Sequence, residues 1–222
     1  MFHKQHLGLQ DCQTHGSQTT AELFIVEGIS ASQAVCNLRD VEFQAVLPMQ
    51  GKPANAIKAS ARLLREYSLF RQLLSALGYE TAEQASADTC RYGRILFLFD
   101  PDADGIHCGA LMLIYFYHQL RPLLEAGRIS VIRAPLFEVH YRQTLATDAP
   151  VNSRLAYTED ELRQMQRELT LAGAMNLKTK RMRGLGGMPT DLLRRTCIDP
   201  QTRHAFRLGP QDAEAAMAVF GG

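Results

Sequence analysis

No apolar run in this chain approaches the length of a membrane span, which argues against a transmembrane helix and predicts no membrane partner. The polar N-terminus does not read as a signal peptide. Charge of one sign is not in excess either: 24 Lys and Arg face 23 Asp and Glu, for a net charge of +1. No global field draws the chain to nucleic acid, so any such site must be local. Cysteines are few, odd in number and widely spaced: Cys12, Cys36, Cys90, Cys108 and Cys197, with no CxxC. That argues against a disulfide framework or a zinc cluster and predicts a reducing cytosol. Tryptophan is absent, and nothing about function follows from that. The rest is ordinary: 222 residues, 46% hydrophobic and 21% charged, enough for one good core or two small ones.

What stands out is the run Asp100-Pro101-Asp102-Ala103-Asp104-Gly105, directly after the apolar stretch 95–99. Three carboxylates on alternate residues need a cation or protons to sit close together, because like charges raise each other's pKa. Oxygen-only ligands in a tight turn suit a hard divalent ion, Mg²⁺ before Zn²⁺. The apolar run reads as a buried strand. The turn therefore falls at a strand's carboxyl end, where open α/β sheets bind their ligands.

The pattern around it is α/β. Strands are expected over 22–26, 43–47 (closed by Pro48), 95–99, 129–132 and 136–141. Helices are expected over 30–39, 54–67, 69–77 and 107–126, the last ended by Gly127. This alternation predicts a mostly parallel sheet flanked by helices, over residues 21–141. Residues 1–20, with His3, His6 and His15, read as a polar tail or linker rather than a metal site. Residues 142–222 read as a smaller α+β extension. In it, 146–153 is loop-like and Thr158-x-x-Glu161 opens a helix to about residue 169. A basic stretch, Lys178 to Arg183, runs into Gly184-Leu185-Gly186-Gly187, and two short helices near Thr190 and Gln211 close the chain.

D-x-D-x-D-G also begins an EF-hand loop, but that loop needs a Glu at its twelfth position and is entered from a helix. Here the twelfth residue is Leu111 and the entry is a strand. An aspartyl phosphatase, with Asp100 as nucleophile, stays open on the turn alone. Glu27 shifts the balance. It too ends an apolar strand and is followed by a glycine, and two such strands side by side would bring it to the acidic turn. One carboxylate set apart from a metal-binding trio can serve as general acid or base, while the trio holds one or two Mg²⁺ for phosphoryl transfer.

E-G and then D-x-D-x-D-G, each at a strand end, resembles the TOPRIM domain of topoisomerases, primases and some nucleases. The wider pattern resembles the TOPRIM region of the B subunits of DNA gyrase and topoisomerase IV, the type II topoisomerases. The carrying segments are LFIVEGISA (23–31), LPMQGK (47–52), FDPDADGIH (99–107), APLFEV (134–139), RGLGGM (183–188) and IDPQTR (198–203). They stand in the family's order and cover nearly the whole chain. The resemblance implies a Rossmann-like TOPRIM fold and Mg²⁺ as cofactor. It implies Glu27 as the general acid/base of DNA cleavage and religation, and metal binding by Asp100, Asp102 and Asp104 with Glu27. DNA contacts are implied for Lys52, His107, Lys180, Arg181 and Arg183. The implied partners are DNA and a gyrase A-type subunit that carries the attacking tyrosine, in a bacterial cytoplasm at the nucleoid. Apart from a TOPRIM nuclease or primase, which the GLG and IDP segments disfavour, one alternative remains. Ile29, Gln50 and Gly187 stand where the family has charged residues, and Ser32 and Gln33 replace two glycines. Those changes suit a diverged stand-alone TOPRIM protein that binds DNA or gyrase A without turnover. No ATPase domain lies within these residues, so the chain is expected either as a piece of a longer gyrase B-type chain or as a free-standing module.

Overall fold

The computed structural model describes residues 8–144 and 150–220. Its main sheet grows from strands that are apolar on both faces. In β1 (Glu22–Glu27), Leu23 and Ile25 face one core while Phe24 and Val26 face another. α1 (Gly28–Cys36) returns the chain to β2 (Gln44–Met49). α2 (Ala61–Glu66) and α3 (Ser68–Leu77) lead to β3 (Arg94–Leu98), where Ile95 and Phe97 again part from Leu96 and Leu98. α4 (Ala103–Gln119) and α5 (Arg121–Glu125) carry the chain to β4 (Ile129–Ile132). A strand covered on both faces must be largely apolar, and residues 23–26 of β1 and 95–98 of β3 are apolar at every position.

The second unit is a three-stranded antiparallel sheet of β5 (Phe137–Arg142), β6 (Asn152–Ala156) and β7 (Met175–Arg181), in the order β6-β5-β7. α6 (Glu159–Leu171) covers it with Leu162, Met165 and Leu169, and its first turn is capped as expected, Thr158 accepting from the Glu161 N–H at 3.0 Å. The chain then returns through α7 (Thr190–Leu193), β8 (Ala205–Arg207) and α8 (Pro210–Phe220). β8 joins the main sheet, whose order is β2-β1-β3-β4-β8, parallel except for β8. Among the described residues no helix is long and apolar enough to cross a membrane.

Several expectations need correction. Residues 8–20 are not a solvated tail: Gln10 pairs with Val46 along the free edge of β2, and Cys12 and Ser17 are buried. His3 and His6 lie outside the described residues. Pro48 does not close β2 but lies inside it, opposite Val26. It is tolerated because β2 is the outer strand of the sheet, and Val46, two residues before it, already points its N–H away from β1, toward Gln10. The helix expected over 54–67 begins only at Ala61, where Ser60 accepts from the Leu63 N–H. The helix expected over 107–126 starts earlier, at Ala103, and breaks at Leu120, one residue before α5 with its early Pro122. The strand expected over 136–141 lies in the second sheet, not the first. Of the loop expected over 146–153, residues 152 and 153 belong to β6, and 146–149 lie outside the described residues. β8 has only three residues, too few to show a period.

Candidate metal and phosphate site

β1 and β3 are neighbours in register, Val26 opposite Leu98, so Glu27 and the acidic turn leave the same edge of the sheet. Side chains alternate along a strand. Glu27 therefore follows Leu23 and Ile25 toward α4, where the Cys108 thiol lies 3.9 Å from its Oε1. Asp100 falls on the opposite face, toward the segment 184–187, and its Oδ1 accepts the Leu185 N–H at 2.8 Å. The two carboxylates flank the sheet edge from opposite sides.

The acidic turn is the start of α4 rather than a loop before it. Asp102 is the N-cap, and its Oδ1 accepts from the N–H groups of Asp104 at 3.1 Å and Gly105 at 2.9 Å. The positive end of a 17-residue helix favours the anions gathered there. The two glycines of the motifs have different causes. Gly28 adopts φ +73, a left-handed conformation that a side chain disfavours, although space around it is open. Gly105 has no such φ. A Cβ there would lie 2.1 Å from the Asp100 carbonyl oxygen, so the first turn of α4 can close over Asp100 only without a side chain.

Electrostatics single out Glu27. Burial pushes its pKa up, and the charges of Asp100, Asp104 and Asp102 push it further. Its Oε2 is buried with no hydrogen-bond partner. Burial also raises Asp100, with the Leu185 N–H opposing and Asp102 adding. Asp104 is exposed and held below the usual carboxylate range by its bond to Lys52, whose ammonium lies 2.8 Å from Oδ1. No three of Glu27, Asp100, Asp102 and Asp104 bring ligand oxygens within 4.8 Å of one another in this arrangement. What suits a hard divalent cation is the orphaned buried oxygen of Glu27 and the oxygen-only donor set.

The basic residues are dispersed. Side chains alternate along β7 as along any strand: Lys178 and Lys180 take the face of His140 and Glu138, and Arg181 the other. The Arg181 guanidinium lies 5.7 Å from the Phe137 ring and 3.9 Å from Glu159. The compact basic patch read from the sequence is thus divided between two faces. Arg183 is exposed and precedes Gly184, whose added Cβ would stand 2.8 Å from Asp100 Oδ2. His107 stacks on the Phe220 ring of α8 at 5.0 Å. Sequence reasoning missed the Lys52–Asp104 pair, the Cys108 contact and the docking of Leu185 on Asp100. The only signal for the last was the glycine pair Gly184 and Gly186. A Cβ on Gly186 would lie 2.3 Å from Ser30 Oγ, so this segment packs tightly on the start of α1.

Two other features lie nearby or elsewhere. A cavity of about 450 Å³ opens beside Asp100, but Phe97, Phe99, Leu113 and Val131 wall it, which does not suit a phosphate. Asp11, Cys12 and His15 offer ligand atoms within 4.8 Å of one another, the one such trio among the described residues. Arg91 already places its guanidinium there, 2.5 Å from Asp11 and 2.8 Å from His15.

A glutamate closing one parallel strand, beside an acidic turn that opens a helix after the next, is the arrangement of a Toprim domain. The Toprim domain profile matches residues 22–134, and the chain belongs to that family. It is similar to the DNA gyrase B subunit of Thermotoga maritima, at 35% identity over 213 residues, covering 96% of this chain and 31% of the relative. The corresponding gyrase chains of Haloferax lucentense and Thermus thermophilus are each 33% identical, over 215 and 216 residues, covering 96% of this chain and 32% of theirs. The chain thus spans about a third of the length of these curated relatives.

Proposed function

We propose that this chain is the Mg²⁺-dependent DNA cleavage–religation module of a gyrase B-like type II topoisomerase, working in the cytoplasm on nucleoid DNA. A tyrosine-bearing A-type subunit would supply the nucleophile, and ATP hydrolysis would fall to an ATPase domain outside these residues. The observation that carries the reading is the pairing of Glu27, with its orphaned buried oxygen, and the Asp100–Asp104 turn on adjacent strand ends. The likeness to the gyrase B chain over 96% of this one supports it.

The chemistry is reversible transesterification. The partner's tyrosine gives up its hydroxyl proton as its oxygen bonds to phosphorus, the bond to the sugar oxygen breaks, and that oxygen takes up a proton; religation reverses each step. Glu27, with a pKa raised by burial and by the neighbouring carboxylates, is suited to hold and return that proton. Bound Mg²⁺ would supply charge stabilisation at the phosphate. Asp100, Asp102 and Asp104, with Glu27, would hold it. Asp100 is positioned by the Leu185 N–H and Asp102 by its own helix cap. Arg183 and Lys180 are available to backbone phosphates without reading sequence, and Lys52 would have to leave Asp104 to join them. Arg181 and His107 would have to leave Glu159 and Phe220 to do the same.

The test is Glu27→Ala, assayed for Mg²⁺-dependent cleavage complexes with the A-type subunit supplied. Loss of cleavage is expected, and undiminished cleavage would remove Glu27 from the mechanism. A second reading, binding without turnover, is favoured by Ile29, Gln50 and Gly187, all exposed and uncharged around the site. Co-purification with an A-type subunit, with no cleavage complex at any Mg²⁺ concentration, would establish it instead.

A further inference from the structure

Lys52 comes from the loop after β2, and Asp104 from the first turn of α4, 52 residues on. Their ion pair at 2.8 Å ties one side of the strand-end crevice to the other. The loop is anchored independently, since the Tyr67 hydroxyl donates to the Lys52 carbonyl at 2.7 Å. Losing the ion pair therefore need not release the backbone. Both side chains are open to solvent, 45% and 66% exposed, and pairs of that kind exchange partners readily.

The same carboxylate oxygen is wanted by a divalent ion, and the same ammonium by a phosphate. We propose that Lys52 is a placeholder cation. It neutralises Asp104 while the site holds no divalent ion, gives up that oxygen when the ion enters, and then pairs with a DNA phosphate. Metal and DNA binding reinforce each other through this one side chain, by the reciprocity of linked equilibria. The idea rests on the reading of the acidic turn as a Mg²⁺ site acting on DNA. It adds an order of events to that reading and makes Lys52 a positioning residue for Asp104.

The test uses the full chain and two equilibrium measurements, neither of them activity. Titration calorimetry with MgCl₂ alone compares wild type, Lys52→Met and Arg65→Met. Loss of an exposed competing pair should tighten Mg²⁺ binding about two- to fivefold in Lys52→Met. Arg65→Met, which removes an exposed charge outside the acidic turn and the proposed DNA contacts, should stay within about twofold. Fluorescence anisotropy with a labelled duplex then gives the slope of log affinity against log salt. Lys52→Met should reduce that slope by about one in Mg²⁺ and leave it unchanged in EDTA. Unchanged or weaker Mg²⁺ binding in Lys52→Met overturns the placeholder role while the cleavage reading stands. The same tightening in both variants also overturns it, because a general field would then suffice. An equal slope loss with and without Mg²⁺ overturns the hand-over. Absence of Mg²⁺ binding in wild type overturns this proposal and the metal site together.

Discussion

The backbone N–H of Leu185 donates to Asp100 Oδ1 across 2.8 Å, joining residues 85 apart in the chain. The extension beyond the second sheet thus closes directly on the acidic turn. Gly184 allows the approach, because its added Cβ would stand 2.8 Å from Asp100 Oδ2 and 3.2 Å from Cγ.

Gly184→Ala should therefore act on the site more than on the fold. The neighbour that must give is one carboxylate end, so the stability loss should sit at the low end for overpacking, about 1 kcal/mol. Mg²⁺ affinity should fall about tenfold, as it does when a metal ligand loses its supporting partner. Calorimetric titration beside a thermal melt separates the two. A large drop in melting temperature with unchanged Mg²⁺ affinity would contradict this division.

Gly105→Ala should behave in the opposite way. The clash, at 2.1 Å, is with the Asp100 carbonyl oxygen, and backbone cannot rotate aside. The first turn of α4 has to move, at a cost of about 3 kcal/mol or more. The urea midpoint should drop substantially, and with it every property of the acidic turn. A midpoint within error of wild type would show that the turn can open without penalty.

Arg203→Met should be strongly destabilising while sparing the site's chemistry. β1 carries two glutamates with different fates. Glu27, at its carboxyl end, keeps a buried oxygen without a partner. Glu22, at its start, is 2% exposed, ion-paired with Arg203 and accepts from Gln44 at 3.0 Å. Arg203 also donates to the Ile198 carbonyl at 2.9 Å. Removing it leaves Glu22 with Arg94 at 3.7 Å as its nearest cation. Breaking such a buried pair costs about 3–5 kcal/mol, measurable by chemical denaturation. Mg²⁺ affinity measured well below the melting temperature should be unchanged.

Asp11→Asn should lower stability at neutral pH and cease to matter in acid. Burial acts to raise the Asp11 pKa. Hydrogen bonds from His15, Tyr92 and Arg91, with the Arg91 charge, outweigh it and hold the group well below its ordinary 3.8. A depressed carboxylate contributes stability above its unfolded pKa and loses it as pH falls toward the folded value. The gap between wild type and variant should be flat from pH 7 to 5 and shrink below about pH 4. Denaturation curves across that range check it, and a gap constant down to pH 2 would remove Asp11 from the acid-labile groups.

Much of this was legible because strand periodicity is local. The runs 23–26 and 95–99 are apolar at every position, which marks them as strands buried on both faces. Glu27 and Asp100 follow them directly and so had to fall at strand ends. The second unit was harder. β5 alternates like any strand, and nothing in its residues says which sheet it joins. Residues 8–20 are polar in composition, yet Asp11 and Ser17 are held by Arg91, Tyr92 and Arg128 from far along the chain.

By itself the sequence determined that Glu27 and the acidic turn each follow a buried apolar strand, and its own family likeness, because these depend on neighbours a few residues apart. Only the tertiary structure decided that Leu185 holds Asp100 and that Lys52 holds Asp104. It alone divided the basic stretch between two faces of β7 and left one oxygen of Glu27 buried and unpaired. Those outcomes depend on which distant backbone comes within about 3 Å of which carboxylate, and a linear pattern does not carry that distance.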